Sequence, residues 1–256
     1  MENQDHSHAA PVYEPQEIAR RTVVISGGTT GIGRATARLL TAHGARVLIF
    51  GRHEEELNEA LEEIRGAGGE VYGLTADQSG LEDVQRVFEE ADRRLGELDI
   101  LINNAAVSPD SLLEGEPEEL RYAIETNLGG PIACTREAAQ RMQRRGEGHI
   151  VNVGSMSADL REEENSVYVA TKDALQGFSE SLRKTLNPEG IKVALVEPGK
   201  VATDMVDMSK RKKEKKEKEL EMLRPEDIAA CVYFCLIQPK RCDVVVMQVR
   251  PHLQTI

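Results

Sequence analysis

The chain has 256 residues, 40% apolar and 30% charged, with 21 glycines and 10 prolines. This length and balance suit a folded chain with a sizeable core and exclude a disordered or collagen-like one. A formal net charge of −12, from 32 basic and 44 acidic residues, excludes a general nucleic-acid binder and disfavours adsorption to an anionic membrane.

In chain order, residues 1 to 20 are polar and aperiodic and predict a flexible arm. Their first eight, Met-Glu-Asn-Gln-Asp-His-Ser-His, lack the basic and apolar regions of a signal peptide. The first strand is expected over Thr22–Ile25, followed by a helix in which Ile32, Ala35, Leu39 and Leu40 recur at helical intervals. Strand and helix then alternate. Strands are expected at Val47–Phe50, Val71–Leu74, Asp99–Ile102, His149–Val153 and Ile191–Val196, with a last one at Val244–Val249. Helices are expected over 54–65, 81–95, 118–145 and 166–186, with another near Ile228.

Short β-branched strands alternating with longer helices imply a parallel sheet covered on both faces. The expected fold is α/β, a single-domain Rossmann fold over residues 21–256, with a doubly wound seven-stranded parallel sheet and helices on both faces. The longest apolar run, Ile228–Ile237, is ten residues, against about 20 needed to span a bilayer. It therefore predicts a buried helix and no membrane anchor, and the expected compartment is cytoplasmic. Cys231 and Cys235 fall one turn apart within it and read as buried thiols. The histidines show no ligand spacing outside the tail, so no metal site is expected.

In a doubly wound sheet, ligands sit beyond the carboxyl ends of the strands. The first strand is followed there by Ser26-Gly27-Gly28-Thr29-Thr30-Gly31-Ile32-Gly33 and then a helix. Glycines let the backbone turn tightly and approach a pyrophosphate, and the helix N-terminus offers free N–H groups. Placed between a strand and a helix, this cluster signals a dinucleotide site. Tyr168 and Lys172 are four residues apart and share one helical face. A phenol is a poor base at neutral pH, and a neighbouring ammonium should lower its pKa toward the range useful for acid–base catalysis.

The glycine spacing, together with Asn103-Asn104-Ala105-Ala106, Tyr168-Val-Ala-Thr-Lys172 and Pro198-Gly199, resembles the short-chain dehydrogenase/reductase family over about residues 22 to 250. The resemblance implies an oxidoreductase that moves hydride between a nicotinamide cofactor and a small carbonyl/alcohol substrate. It implies Tyr168 as general acid/base, Ser155 as the group orienting the carbonyl, Lys172 on the nicotinamide ribose, and Asn127 as a relay member. Cofactor contacts carried over are Gly27, Thr29, Thr30, Gly31, Ile32 and Gly33 from the first loop. Asp77, Gln78, Asn104, Ala105, Pro198, Gly199, Val201 and Thr203 follow from later strand ends.

In the family an acidic residue ends the second strand and holds a free ribose 2′-hydroxyl. Here that position is Gly51, followed by Arg52. A guanidinium can pair with a 2′-phosphate that a carboxylate would repel, so NADP(H) is favoured over NAD(H). The alternative is a solvated Arg52 with Glu54 on the ribose. Asp77 could contact adenine or cap the helix beginning near Leu81. Ala106 replaces the family's usual glycine and predicts an ordinary φ at that position.

Residues 204–222 align with the family's variable substrate lid, with Met205, Val206 and Met208 as the expected apolar contacts. Within it, residues 210–218 carry seven basic and two acidic side chains. They read as a solvated helix or as an electropositive gate for an anionic substrate. The resemblance also implies a homodimer or homotetramer through the helices at 118–145 and 166–187. An NAD-dependent relative and a non-catalytic dinucleotide sensor are the competing functions.

Overall fold

A computed structural model of the chain describes residues 13–163, 165–206 and 208–254. Along β1 (Thr22–Ser26) every residue is buried, yet successive side chains enter different cores, as a strand's two-residue period requires. Val23 and Ile25 join Val47, Ile49, Ala37, Leu40, Ile228 and Val232 on one face of the sheet. Val24 points the other way, to Leu48, Phe50, Phe88, Cys134 and Met142. A strand buried on both faces must be apolar throughout, which is why these strands lack alternation.

The remaining strands are β2 (Arg46–Gly51), β3 (Glu70–Thr75), β4 (Ile100–Asn103), β5 (Gly148–Val153), β6 (Ile191–Pro198) and β7 (Val246–Val249). They form one parallel sheet in the order β3-β2-β1-β4-β5-β6-β7. The chain crosses over between β3 and β4, so the carboxyl ends of β1 and β4 flank the switch point where a crevice opens. Helices α1 (Gly31–Ala42) and α2 (Glu54–Gly66) cover the first face, and α3 (Leu81–Leu95) the second.

The single helix expected over 118–145 is instead α4 (Pro117–Ile124), a π-helical turn (Glu125–Gly129) and α5 (Gly130–Gln143). Pro131 has no N–H with which to continue the α-helical ladder back to Asn127, and a one-residue widening absorbs the fault. Asn127 sits in that widened turn. The chain continues through a short α6 (Ser157–Leu160), α7 (Ser166–Leu186), α8 (Lys210–Lys218) and α9 (Pro225–Leu236).

Helix α9 contains the long apolar run and buries Ile228, Ala229, Val232, Cys235 and Leu236. Cys235 is buried as expected, whereas Cys231 is half-buried. Among the described residues no helix is long and apolar enough to cross a membrane. The predicted arm lies outside the described residues up to position 12. From Tyr13 onward the chain is held rather than loose: the Gln16 N–H donates to the Ile237 carbonyl at 2.7 Å and Ile18 is buried.

Candidate active site

The turn after β1 has its shape because no side chain fits inside it. Gly27 and Gly31 have positive φ of 61° and 50°, a region that costs other residues strain. A Cβ on Gly33 would lie 2.1 Å from the Gly27 carbonyl oxygen, and one on Gly27 would lie 2.8 Å from Ala105 Cα. Thr30 is extended and precedes α1, whose first turn contains no acidic residue. The loop therefore presents a helix N-terminus to a groove of about 560 Å³ at the carboxyl ends of β1, β2 and β4.

Eleven residues predicted to bind a cofactor line this groove: Gly27, Thr29, Thr30, Gly31, Ile32, Arg52, Asp77, Gln78, Asn104, Ala105 and Thr203. Gly33 lies behind the loop, where its missing side chain lets α1 close on Gly27. Thr203 stands over Gly31, whose Cβ would be 3.2 Å from the threonine methyl. Predicted Pro198 and Gly199 line a neighbouring cavity instead. Val201 is buried, bridged to Leu223.

Arg52 is exposed at the groove's rim. It donates to the Tyr122 hydroxyl at 2.7 Å and its guanidinium stands 5.2 Å from that ring's centroid. Tyr122 in turn donates to Asp77 Oδ2 at 2.7 Å. Burial raises the Asp77 pKa, but the Ser79 N–H, the Tyr122 hydroxyl and the Arg52 charge outweigh it and hold the carboxyl below its usual range. Asp77 does not cap α3; the cap position is Gly80, and Asp83 reaches back to the Asp77 N–H at 2.7 Å. A Cβ at Gly51 would strike Thr29 at 2.8 Å, so Thr29 occupies the space an acidic side chain would need. Tyr122 was not legible in the sequence: a single tyrosine in a glutamate-rich helix carries no motif.

The Asn103–Ala106 turn ties β4 to β1. Ser26 Oγ accepts from the Asn104 and Ala105 N–H groups, both at 3.0 Å, and Asn104 Nδ2 donates to the Ser26 and Gly27 carbonyls at 3.0 Å. Ser26 is a second residue the sequence did not single out. Ala106 is absent from the positive-φ residues, as expected from its methyl group. Gln78, which lines the groove, donates through Nε2 to the Ala105 and Thr126 carbonyls at 2.9 and 2.6 Å, while its buried Oε1 has no partner among the described residues. Asn127 Oδ1 accepts from the Val107 N–H and its Nδ2 donates to the Val107 carbonyl, both at 2.8 Å, and to Thr171 Oγ1 on α7 at 3.2 Å.

Ser155 follows β5, and its Oγ accepts from the Ser157 N–H at 3.1 Å. Tyr168 and Lys172 approach it from α7, with the lysine Nζ 5.6 Å from the tyrosine ring centroid. Lys172 is 3% exposed and donates to the Val153 carbonyl at 3.0 Å. Burial lowers the Lys172 pKa to about 8, against an opposing pull from Glu197. The Tyr168 phenol is raised above its ordinary value rather than lowered. Burial drives the rise, the nearby Ser155 hydroxyl opposes it, and the Glu162 charge adds to it. The expected lowering does not appear because burial of the phenol itself prevails.

Ser155, Pro198 and Gly199 border a cavity of about 240 Å³, closed by Met156, Leu160, Val206, Met208 and Met222, with Lys200, Lys216 and Glu162 among its charged lining. Val206 and Met208 are the apolar contacts expected there; Met205 lines the first groove instead and is exposed. Helix α8 buries none of its residues and is tied back by Lys213, whose Nζ donates to the Thr203 carbonyl at 2.8 Å. A further hollow at the opposite end of the sheet is lined by Arg21, Asp99, Lys192 and Asp243, whose charges already pair with one another.

A profile of the short chain dehydrogenase family matches residues 21–215, so the chain belongs to that family of oxidoreductases. It is 32% identical over 232 residues to the uncharacterized oxidoreductase YxnA of Bacillus subtilis, covering 88% of this chain but 65% of the relative's length. It is 37% identical over 186 residues to a 3-oxoacyl-[acyl-carrier-protein] reductase of Bos taurus, covering 72% of this chain and 77% of that protein. Among solved structures, a substituted actinorhodin polyketide ketoreductase with NADPH superposes with a TM-score of 0.83 at 28% identity, covering 94% of this chain and 99% of the other. A 3-ketoacyl-(acyl-carrier-protein) reductase from Brucella melitensis, complexed with NADH, gives 0.82 at 26% identity over 92% of this chain and 98% of the other.

Proposed function

We propose that the protein is an NADP(H)-dependent oxidoreductase that interconverts a ketone and its alcohol, with Tyr168 as general acid/base. The observation that carries this reading is the glycine-walled groove at the carboxyl ends of the strands, with Ser155 bordering the neighbouring cavity and Lys172 Nζ 5.6 Å from the Tyr168 ring centroid. The residues present fit such a cofactor: the glycine turn is a cradle that any Cβ would fill, and buried Gln78 Oε1 lacks a partner among the described residues. The first-loop residues Gly27 to Ile32 would hold the diphosphate, with Gly33 letting α1 close behind them, while Asp77, Gln78, Asn104 and Ala105 would hold the adenosine half. Pro198, Gly199, Val201 and Thr203 would hold the nicotinamide half with Tyr168 and Lys172. Two neighbours were solved with NADPH and NADP, and one with NADH; exposed Arg52 and the closed space at Gly51 favour the phosphorylated form.

When bound, the nicotinamide supplies or accepts the hydride. A phenol held above its ordinary value stays protonated at neutral pH, which suits Tyr168 to protonate a developing alkoxide. The Ser155 hydroxyl donates to the carbonyl oxygen and fixes its approach. Lys172, protonated at neutral pH by its value of about 8, stabilises the phenolate left after transfer. Asn127 ties the Val107 turn to α7 and serves the relay that returns a proton. All four residue types are present, which favours turnover over a silent dinucleotide sensor.

The substrate would enter the methionine-lined cavity under a lid formed by residues 204–222. Lys216 brings the basic segment to the cavity wall, paired there with Glu221 at 2.6 Å, and the other, solvated lysines of α8 would supply the field of a steering role. We place the protein in the cytoplasm, without nucleic-acid or membrane partners, as a homodimer or homotetramer. The half-exposed Ile124 and Ile132 along α4 and α5 support self-association on that side. Tyr168→Phe tests the assignment: turnover should fall by about 10²- to 10⁴-fold while NADPH affinity stays within about twofold. Undiminished turnover would remove Tyr168 from the chemistry.

A further inference from the structure

Beneath the proposed active site lies a buried carboxylate that the mechanism leaves unused. Glu197, next to last in β6, is 1% exposed. Its Oε1 accepts from Gln176 Nε2 at 2.8 Å and its Oε2 from Gln248 Nε2 at 3.2 Å. The same two amides also serve Asp159: Gln176 Nε2 donates to Oδ1 at 3.3 Å, and Gln248 Nε2 bonds Oδ2. Two carboxylates and two glutamines thus close a ring in which each amide nitrogen spends both hydrogens. The ring satisfies hydrogen bonding but supplies no positive charge, and a buried carboxylate without one is costly.

The geometry around Glu197 leads back to Lys172. Gln176 is one turn beyond Lys172 on the same face of α7. A Cβ on Gly154 would lie 3.1 Å from Glu197 Cγ and 3.3 Å from its Oε1, so the glutamate lies against that glycine. Gly154 sits between Val153, whose carbonyl anchors the lysine at 3.0 Å, and Ser155. The glutamate therefore supports the peptide on which two of the proposed catalytic side chains depend.

We propose that Glu197 is a positioning residue: its buried negative charge keeps Lys172 an ammonium, and its seat against Gly154 fixes the turn bearing Ser155. The proposal rests on the roles given above to Lys172 and Ser155. Burial drives the lysine toward neutrality, and Glu197 acts against that drive. The other ionisable groups around the lysine do not take its place. Tyr168 is neutral when its phenol is raised, Glu162 acts on Tyr168, and Asp159 lies across the ring from Glu197.

The Lys172 titration midpoint, read by NMR on protein labelled at lysine Cε and assigned by signal loss in Lys172→Arg, tests this without any turnover. Glu197→Gln should move the midpoint to lower pH by about one unit, and Asp159→Asn should leave it in place. Glu197→Asp, which keeps the charge but withdraws it by one methylene, should move it the same way by less and serves if the glutamine variant does not fold. The alkaline fall of kcat should move with the lysine. An unchanged midpoint in the folded variants, or an equal shift in Asp159→Asn, overturns the proposal; a shifted lysine with an unshifted kcat profile overturns its catalytic half. Because the midpoint is read in resting protein, it can fail while the Tyr168→Phe test succeeds, and the reverse.

Discussion

The groove beside β1 and the cavity beneath α8 adjoin, yet they are built from different materials. The groove is shaped by backbone: two glycines at positive φ, a third whose Cβ would overlap a carbonyl, and a turn laced to β1 through Ser26. The cavity is shaped by side chains, chiefly Met156, Leu160, Met208 and Met222, under a helix that buries nothing. Backbone shape tolerates few residue types at few positions, whereas flexible methionines and solvated lysines adapt to many contents. The contrast separates what the molecule must hold in one geometry from what it can vary.

Adding matter to the groove should therefore cost far more than changing charge on the lid. Gly33→Ala places a methyl group 2.1 Å from the Gly27 carbonyl oxygen, so the turn must open. We expect loss of dinucleotide binding by isothermal titration, with destabilisation of about 1–3 kcal/mol in thermal unfolding. A variant that binds NADPH normally would break the claim that backbone shape governs this region.

Arg52→Ala should have the next largest effect. Losing a charge-assisted hydrogen bond should weaken NADPH binding about tenfold to a hundredfold and leave NADH nearly untouched. Equal weakening of both would show that Arg52 works through Tyr122 and Asp77 rather than on the phosphate. The lid should respond least. Reversing Lys210 and Lys212 to glutamate should lower kcat/KM for an anionic carbonyl substrate a few-fold at low ionic strength, with the difference fading as salt rises. A neutral substrate should show no change, and no salt dependence with an anionic one would remove steering.

The same contrast explains what the sequence made legible. All seven strands and the longer helices followed from apolar runs and period, except that α4 and α5 read as one helix and the short α6 went unseen; strands buried on both faces have little choice of residue. The glycine turn stood out by its place between a strand and a helix, and Tyr168 and Lys172 by their shared helical face, while Asn104 and Ser155 were marked only by the family resemblance. Tyr122 and Glu197 did not. The tyrosine matters only because α4 carries it to Arg52 and Asp77, and the glutamate only because β6, α7 and β7 meet around it. The π turn at Asn127 was hidden for another reason: helical periodicity continues through it, and only the missing N–H of Pro131 marks the fault. The direction of the Tyr168 shift depended on burial, which no spacing reports.

The most direct test of the account is consumption of NADPH and NADH, measured in parallel against a broad panel of ketones and aldehydes. The account predicts turnover of at least one carbonyl with NADPH, faster than with NADH at equal concentration, and its collapse in Tyr168→Phe. A folded protein that binds the dinucleotide but consumes neither form across the panel would contradict it.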